Sequence, residues 1–383
     1  MPEASWENGV RSLRKSEMDS LRKLLGDVFF AELPDIQPHA INEENASNLL
    51  VVVEDGQVVS HIATIKRHVS ILGCPLKVAS LGGVATYESH RGKGHASALL
   101  EKTMAVCRNE DVDYIMVSGY RNMYHRYGCR HVGKDWMFRL DQDQASDFDD
   151  SNFTISCASE EDIDALGTIY RRESVRWMRP SSDIAFGIDG WVCNSPAKTY
   201  LIKQSDRLVA SAVIQQARKG DKGQGLRFAL RDYAGERSAI VGVLGKFVQE
   251  QDLKEVSLHV MGCDTVLKDL LEARGLTGIQ SVLPGTTMII HFEKLLKKMR
   301  PYFIERIGEN AVNGLVFKEV GDEYHVYYGG DRVVAESRGA AAQLIFGTWA
   351  GAEDAMLNVG GRAGEVLRAC LPIPGVWYGV NYV

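Results

Sequence analysis

Residues Gly82 to Ser97 read Gly-Gly-Val-Ala-Thr-Tyr-Glu-Ser-His-Arg-Gly-Lys-Gly-His-Ala-Ser, and this stretch has the residue types of an anion site. An apolar strand-like run ends here, glycines let the backbone turn, and a helical pattern starts at Ala96. A helix start leaves its first amide N–H groups without partners and carries the positive end of the helix dipole. Glycines beside it let a phosphate come close to the main chain, so a pyrophosphate is the expected guest. A P-loop would need GxxxxGK[ST], and a dinucleotide fingerprint would need GxGxxG after the first strand of a parallel sheet; neither is present. The residues expected around the phosphates are Arg91, Gly92, Lys93, Gly94, His95 and Ala96, with the main chain of Val84, Ala85 and Thr86 leading into the turn.

Several elements must position this turn. Leu21, Leu24, Leu25 and Val28 are spaced for one helix face, with Ser16 as its expected N-cap after a short strand. Two strands flank Asp55-Gly56, a dipeptide that type I′ hairpins favour because both central residues take positive φ. A third strand runs into Gly82, and the continuous apolar run around Tyr114 to Val117 reads as a buried strand. The stretch after Asp141 is acidic and aperiodic, and reads as a linker. Beyond it the chain resembles itself: FTISCASEEDIDALGTIY echoes the first strand and helix, and LRDYAGERSAIVGVLGKFVQEQDLKEVSLHV echoes the strand, turn, helix and strand around Gly82. The second copy has Ala234-Gly235-Glu236-Arg237-Ser238 where the first has its glycine-spaced turn, so one working site is expected. From about Met299 the pattern becomes alternating strands around Gly329-Gly330-Asp331, then an Ala-rich helix, and the chain runs apolar and aromatic to Val383. Such a tail is expected to dock inside the protein.

Composition sets limits on function. A chain of 383 residues exceeds one ordinary domain, and 45% hydrophobic with 25% charged residues is globular, not disordered. A net charge of −6 argues against a dedicated nucleic-acid binder, and EKLLKKMR reads as a solvated helix face. Seven scattered cysteines without CxxC suggest neither a disulfide framework nor a metal site. The amino terminus lacks a signal-peptide core and no apolar run is long enough to span a bilayer, so a cytoplasmic protein without membrane contact is expected.

Arg91-x-x-Gly94-x-Ala96 matches the Q/R-x-x-G-x-G/A signature of the GCN5-related N-acetyltransferases, and the chain resembles that family, the GNAT superfamily. Its members carry a tyrosine after the next strand within Y-x-x-[FY]-G-[FYW], and Tyr124-His125-Arg126-Tyr127-Gly128-Cys129 aligns with it, Cys129 standing for the last aromatic. Over nearly its whole length the chain is similar to the Eis (enhanced intracellular survival) acetyltransferases. The resemblance implies an α+β fold: a GNAT domain over 1–145, a degenerate second GNAT-like domain over 146–297, and a unit resembling sterol carrier protein 2 over 298–383. These are mixed, mostly antiparallel sheets with flanking helices.

The resemblance implies transfer of an acetyl group from acetyl-CoA, as cosubstrate, to a primary amine, with Tyr124 as general acid and the Val383 terminal carboxylate as general base. Acceptors of aminoglycoside, polyamine or lysine type and a homo-oligomer, a hexamer, are implied in the same way. The main chain of Val84, Ala85 and Thr86 would hold the pantetheine arm. Lys93 meets a CoA phosphate or is one more exposed lysine. His90 and His95 flank the turn, Phe29, Phe30 and Glu32 stand where the family shapes its acceptor site, and Tyr127 is read as structural. Two other functions compete: a lipid or sterol carrier, requiring a continuous apolar tunnel in the third unit, and a non-catalytic CoA-binding module.

Overall fold

A computed structural model describes residues 9–216, 228–348 and 360–382. Most expected elements form, because each places its apolar positions on one face. The opening helix, Met18–Val28, buries Leu21, Leu24 and Leu25. Its entry differs from expectation: a 3-10 turn at Lys15–Glu17 precedes it, and the Glu17 carboxylate, not Ser16, accepts from the Arg14 N–H at 3.0 Å. Asp55 (φ 49°) and Gly56 (φ 76°) make the hairpin between Leu49–Glu54 and Gln57–Ile71.

Two large mixed sheets and one small sheet organise the described residues. In the first, Leu49–Glu54, Gln57–Ile71 and Cys74–Thr86 run antiparallel in order, and Tyr114–Val117 then pairs with Cys74–Thr86 in parallel. The second sheet repeats that plan with Ser195–Gln204, Arg207–Gln215, Phe228–Gly235 and, in parallel, Glu255–Met261. Where the first sheet has one helix between its parallel strands, His95–Asn109, the second has Arg237–Gly242 and Leu244–Glu250.

The two sheets exchange strands. Asp135–Asp141, which follows the first sheet in the chain, pairs with Glu255–Met261 of the second. Thr286–Ile289, which follows the second sheet, pairs with Tyr114–Val117 of the first. The acidic stretch after Asp141 is packed and not a free linker, with Ala145 and Phe148 fully buried in the second core. The third unit is a meander of Val316–Val320, Glu323–Tyr328 and Asp331–Ala335, flanked by the helices Phe292–Lys298, Arg300–Ile307, Arg338–Phe346 and Gly361–Cys370. Its core is continuous with the far end of the first sheet: Val69, Leu76, Val78 and Tyr114 share one cluster with Phe292, Val326 and Ile345. Lys298, within the basic stretch, pairs at 2.7 Å with the fully buried Asp113 carboxylate, so that helix face binds the units together. Among the described residues no helix is long and apolar enough to cross a membrane.

Candidate functional site

The parallel pairing of the first sheet runs from Val78↔Tyr114 to Leu81↔Val117 and stops. Cys74–Thr86 continues alone on that side while still paired with Gln57–Ile71 as far as Ser60↔Thr86. The register shifts between His61 and Ala63, and the bulge falls at Gly83, whose φ is +56°. A Cβ there would lie 3.3 Å from Leu25 Cδ2, so both backbone and space favour glycine at position 83. Past the end of Tyr114–Val117 the ladder is open on this side of Cys74–Thr86, near the buried Val84 and Val117, and this opening is the candidate cleft.

At the end of the lone strand stands the glycine-spaced turn. Gly92 (φ +80°) and Gly94 (φ +83°) take left-handed conformations, and a Cβ on either would meet nothing within 4 Å. Gly94 is the N-cap of His95–Asn109 and supplies no side-chain cap; Ala98 N–H is bonded back to Gly94. The amides at the head of this helix therefore face open space at the positive end of the dipole, which is what a phosphate requires. Arg91, Gly92 and Lys93 are exposed, and Ala96 is half-buried.

The basic side chains of the turn converge on Glu54. Lys93 Nζ lies 3.0 Å and His95 Nε2 2.9 Å from its carboxylate, with His90 Nε2 at 3.5 Å. The Lys93 hydrogen bond holds the Glu54 carboxyl below the usual carboxylate range. Thr86 bonds Ser60 Oγ at 2.7 Å, and Ala85 C=O accepts from the same hydroxyl.

Tyr124 sits on the short helix Asn122–Arg126 and is 3% exposed. It shares a cluster with Leu81, Val84, Leu99 and Val117, which places it against the strands that form the cleft. Burial pushes its phenol up to about 12. Cys129, in the same cluster, is fully buried, and burial pushes its thiol up to about 12 as well. Tyr127 donates to Glu101 of the neighbouring helix at 2.5 Å, a structural tie. Phe29 is 42% exposed, whereas Phe30 packs against the core beneath the opening helix.

A family model described as an acetyltransferase (GNAT) domain matches residues 9–132. The chain carries a GNAT acetyltransferase domain. Domains of this kind use acetyl-CoA as donor. No curated protein matches the sequence. Solved structures share the fold along the whole chain. A GCN5-related N-acetyltransferase from Anabaena variabilis is 15% identical over 96% of this chain and 98% of that one, with a TM-score of 0.69. One from Kribbella flavida is 14% identical over 98% of each chain, with a TM-score of 0.63. Eis1 from Mycobacterium abscessus is 12% identical over 95% of this chain and 96% of that one, with a TM-score of 0.61.

The fold brings to this GNAT domain residues that spacing did not single out. Ser118 and Gly119 come directly after Val117, and the Tyr382 hydroxyl shares a hydrogen bond with Ser118. Gln37 donates to Asn194 at 3.1 Å, bringing a turn of the second half onto the first. No local pattern joins residues so far apart in the chain. Val383, expected as a base, lies outside the described residues.

Proposed function

We propose that the cleft of the first sheet transfers an acetyl group from acetyl-CoA to a primary amine by direct attack, without a covalent enzyme intermediate. The observation that carries this is the parting of Cys74–Thr86 from Tyr114–Val117 immediately before an uncapped, glycine-cleared helix start. The open space at Gly92 and Gly94 fits the pyrophosphate of CoA, with Arg91, Lys93, His95 and Ala96 around it, and the free edge of residues 84–86 fits the pantetheine arm. Acetyl-CoA supplies an acetyl carbon activated as a thioester. An amine has an ordinary pKa near ~10.4 and attacks only when deprotonated. Within this proposal the α-carboxylate of Val383 takes that proton, and main-chain N–H groups of residues 84–86 polarise the acetyl oxygen. The new C–N bond forms, the C–S bond breaks, the thiolate takes a proton from Tyr124, and the second proton that the nitrogen sheds on becoming an amide restores the Tyr124 phenol. Thiols ordinarily titrate near ~8.5 and phenols near ~10, which would make this transfer uphill in water. Desolvation disfavours a thiolate as it disfavours a phenolate, so exclusion of water on binding raises the thiol toward the phenol.

The finer organisation belongs to the same proposal: a GNAT domain over 1–145, a second GNAT-like domain over 146–297 and a unit similar to sterol carrier protein 2 over 298–383. The repeated order of strands in the two sheets supports the duplication. A hexameric assembly, a cytoplasmic location and an acceptor of aminoglycoside, polyamine or lysine type are proposed from family resemblance.

A thiol-release assay with acetyl-CoA against aminoglycosides, polyamines and lysine peptides tests the reading, with Tyr124→Phe and a chain extended by two glycines after Val383 run in parallel. Turnover with at least one amine is expected in the native chain, and a large loss in both variants. Normal turnover by the extended chain removes the carboxylate base; a native chain that binds no acetyl-CoA removes the enzyme.

A further inference from the structure

The second sheet has the same cleft as the first, but here it is filled. Its parallel pairing ends at Leu230↔Leu258, and the ladder to the neighbouring strand skips Arg231 between Val213↔Asp232 and Ile214↔Leu230, as the first sheet shifts near Gly83. The chain's own segment 377–381 lies against this second cleft. The Trp377 indole N–H donates to Arg231 C=O, and its ring lies 4.3 Å from that of His259 on the opposing strand. Val380 N–H donates to the Asp232 carboxylate at 3.3 Å. Gly379 has φ +53° and lies so close to Asp232 that a Cβ would collide with its Oδ2.

A buried polar relay holds this segment. Arg179 pairs with Asp232 and donates to Asn381 Oδ1 at 2.7 Å. Asn381 Nδ2 donates to Asp183 at 3.0 Å, and Arg67 of the first sheet donates to the other Asp183 oxygen at 3.1 Å. The relay thus spans from the second sheet, through the tail, to the first. One residue further, Tyr382 meets Ser118, which comes directly after the last strand residue of the first cleft.

We propose that the second cleft is a socket for segment 377–381, and that Trp377, Arg179 and Asn381 are positioning residues for transfer at the first cleft. They touch no reacting atom; they hold Tyr382 at Ser118. This rests on the first cleft being the acetyltransferase site. A misplacement of about 1 Å costs on the order of 100-fold in rate, so a loosened relay is costly without any change at the phosphate turn.

Asn381→Ala removes both tethers from the tail side while leaving the Arg179–Asp232 pair intact. It is expected to lower kcat by roughly 10- to 100-fold, with KM for acetyl-CoA within about twofold of native. Trp377→Ala is expected to do the same, and Trp377→Phe, which keeps the ring on His259, to recover part of kcat. Hydrogen exchange on the full chain reads the seating independently of turnover: the amides of Val380 and Asn381 are protected in the native protein and exchange faster in Asn381→Ala. A native protein in which those amides exchange freely overturns the socket. Loss of their protection with kcat unchanged overturns the positioning role, as does a rise in acetyl-CoA KM matching the fall in kcat. A native chain with protected tail amides that acetylates no amine defeats the acetyltransferase reading instead.

Discussion

Tyr124 presents its hydroxyl from a ring shut in with Leu81, Val84 and Leu99, and burial pushes its pKa up to about 12. The phenol is protonated throughout the working range, so the kcat profile is expected to show no basic limb from this group below about pH 10. A basic limb with a midpoint under 10 that vanishes in Tyr124→Phe contradicts the assignment. Tyr124→Phe itself is expected to lower kcat by roughly 100- to 10,000-fold, the usual range for a general acid, with little change in thermal stability. His61 and His39 make a different point at the same scale. His61 is fully buried, its Nδ1 bonded to Leu50 C=O at 3.0 Å, and His39 packs edge-on against Phe186. Burial holds both imidazoles down to about 4, against an ordinary value near 6.5. The unfolded chain therefore binds more protons than the folded one between pH 4 and 6.5, so stability rises with pH across that window and is lost as pH falls through it. Each histidine contributes on the order of 3 kcal/mol of this acid sensitivity. Urea midpoints near pH 7 and near pH 5 measure it, and the difference is expected to shrink in His61→Gln.

At the scale of elements, the bulge and the turn use glycine for separate reasons. Gly83 needs both a positive φ and the absence of a side chain against Leu25. Gly83→Ala is expected to destabilise by about 1–2 kcal/mol and to raise KM for acetyl-CoA by disturbing the strand edge. Gly94 lies in open space, so its replacement separates ligand from fold. Gly94→Asp places a carboxylate where helix caps favour one, which offsets its backbone strain, and also where a phosphate is proposed to bind. A KM increase above about tenfold is expected from charge repulsion at the anion site, with melting temperature little altered. Equal KM values would show that the phosphates bind elsewhere.

At the scale of the whole molecule, strand exchange makes the units interdependent. A fragment 1–145 would keep Asp135–Asp141 without its partner and leave Tyr114–Val117 without Thr286–Ile289. It would also uncover the apolar side of Val69, Leu76 and Tyr114 that the third unit buries. Such a fragment is expected to be insoluble or unfolded, and the full chain to unfold without an intermediate in which the first sheet alone has melted. Circular dichroism of the fragment and hydrogen exchange of the two sheets in the full chain check this. A soluble, acetyl-CoA-binding fragment 1–145 would show that the exchange is dispensable.

The hairpin at Asp55-Gly56 and the glycine-spaced turn were legible in the chain, because each depends on residues close together in sequence. Backbone conformations open mainly to glycine, and apolar periodicity at one face, are local properties. Ser16 misled because it lies inside the 3-10 turn Lys15–Glu17, which moves the start of the helix on to Met18. Only the tertiary structure decided which sheet receives Asp135–Asp141, since an apolar strand carries no mark of its partner. It alone also brought Arg67, Asp183, Arg179, Asp232 and Asn381 into one relay, whose hydrogen-bonded members are as much as 202 positions apart. Sequence determined the hairpin and the turn through local backbone chemistry; the filling of the second cleft was decided by packing, where buried charges must find partners wherever the fold brings them.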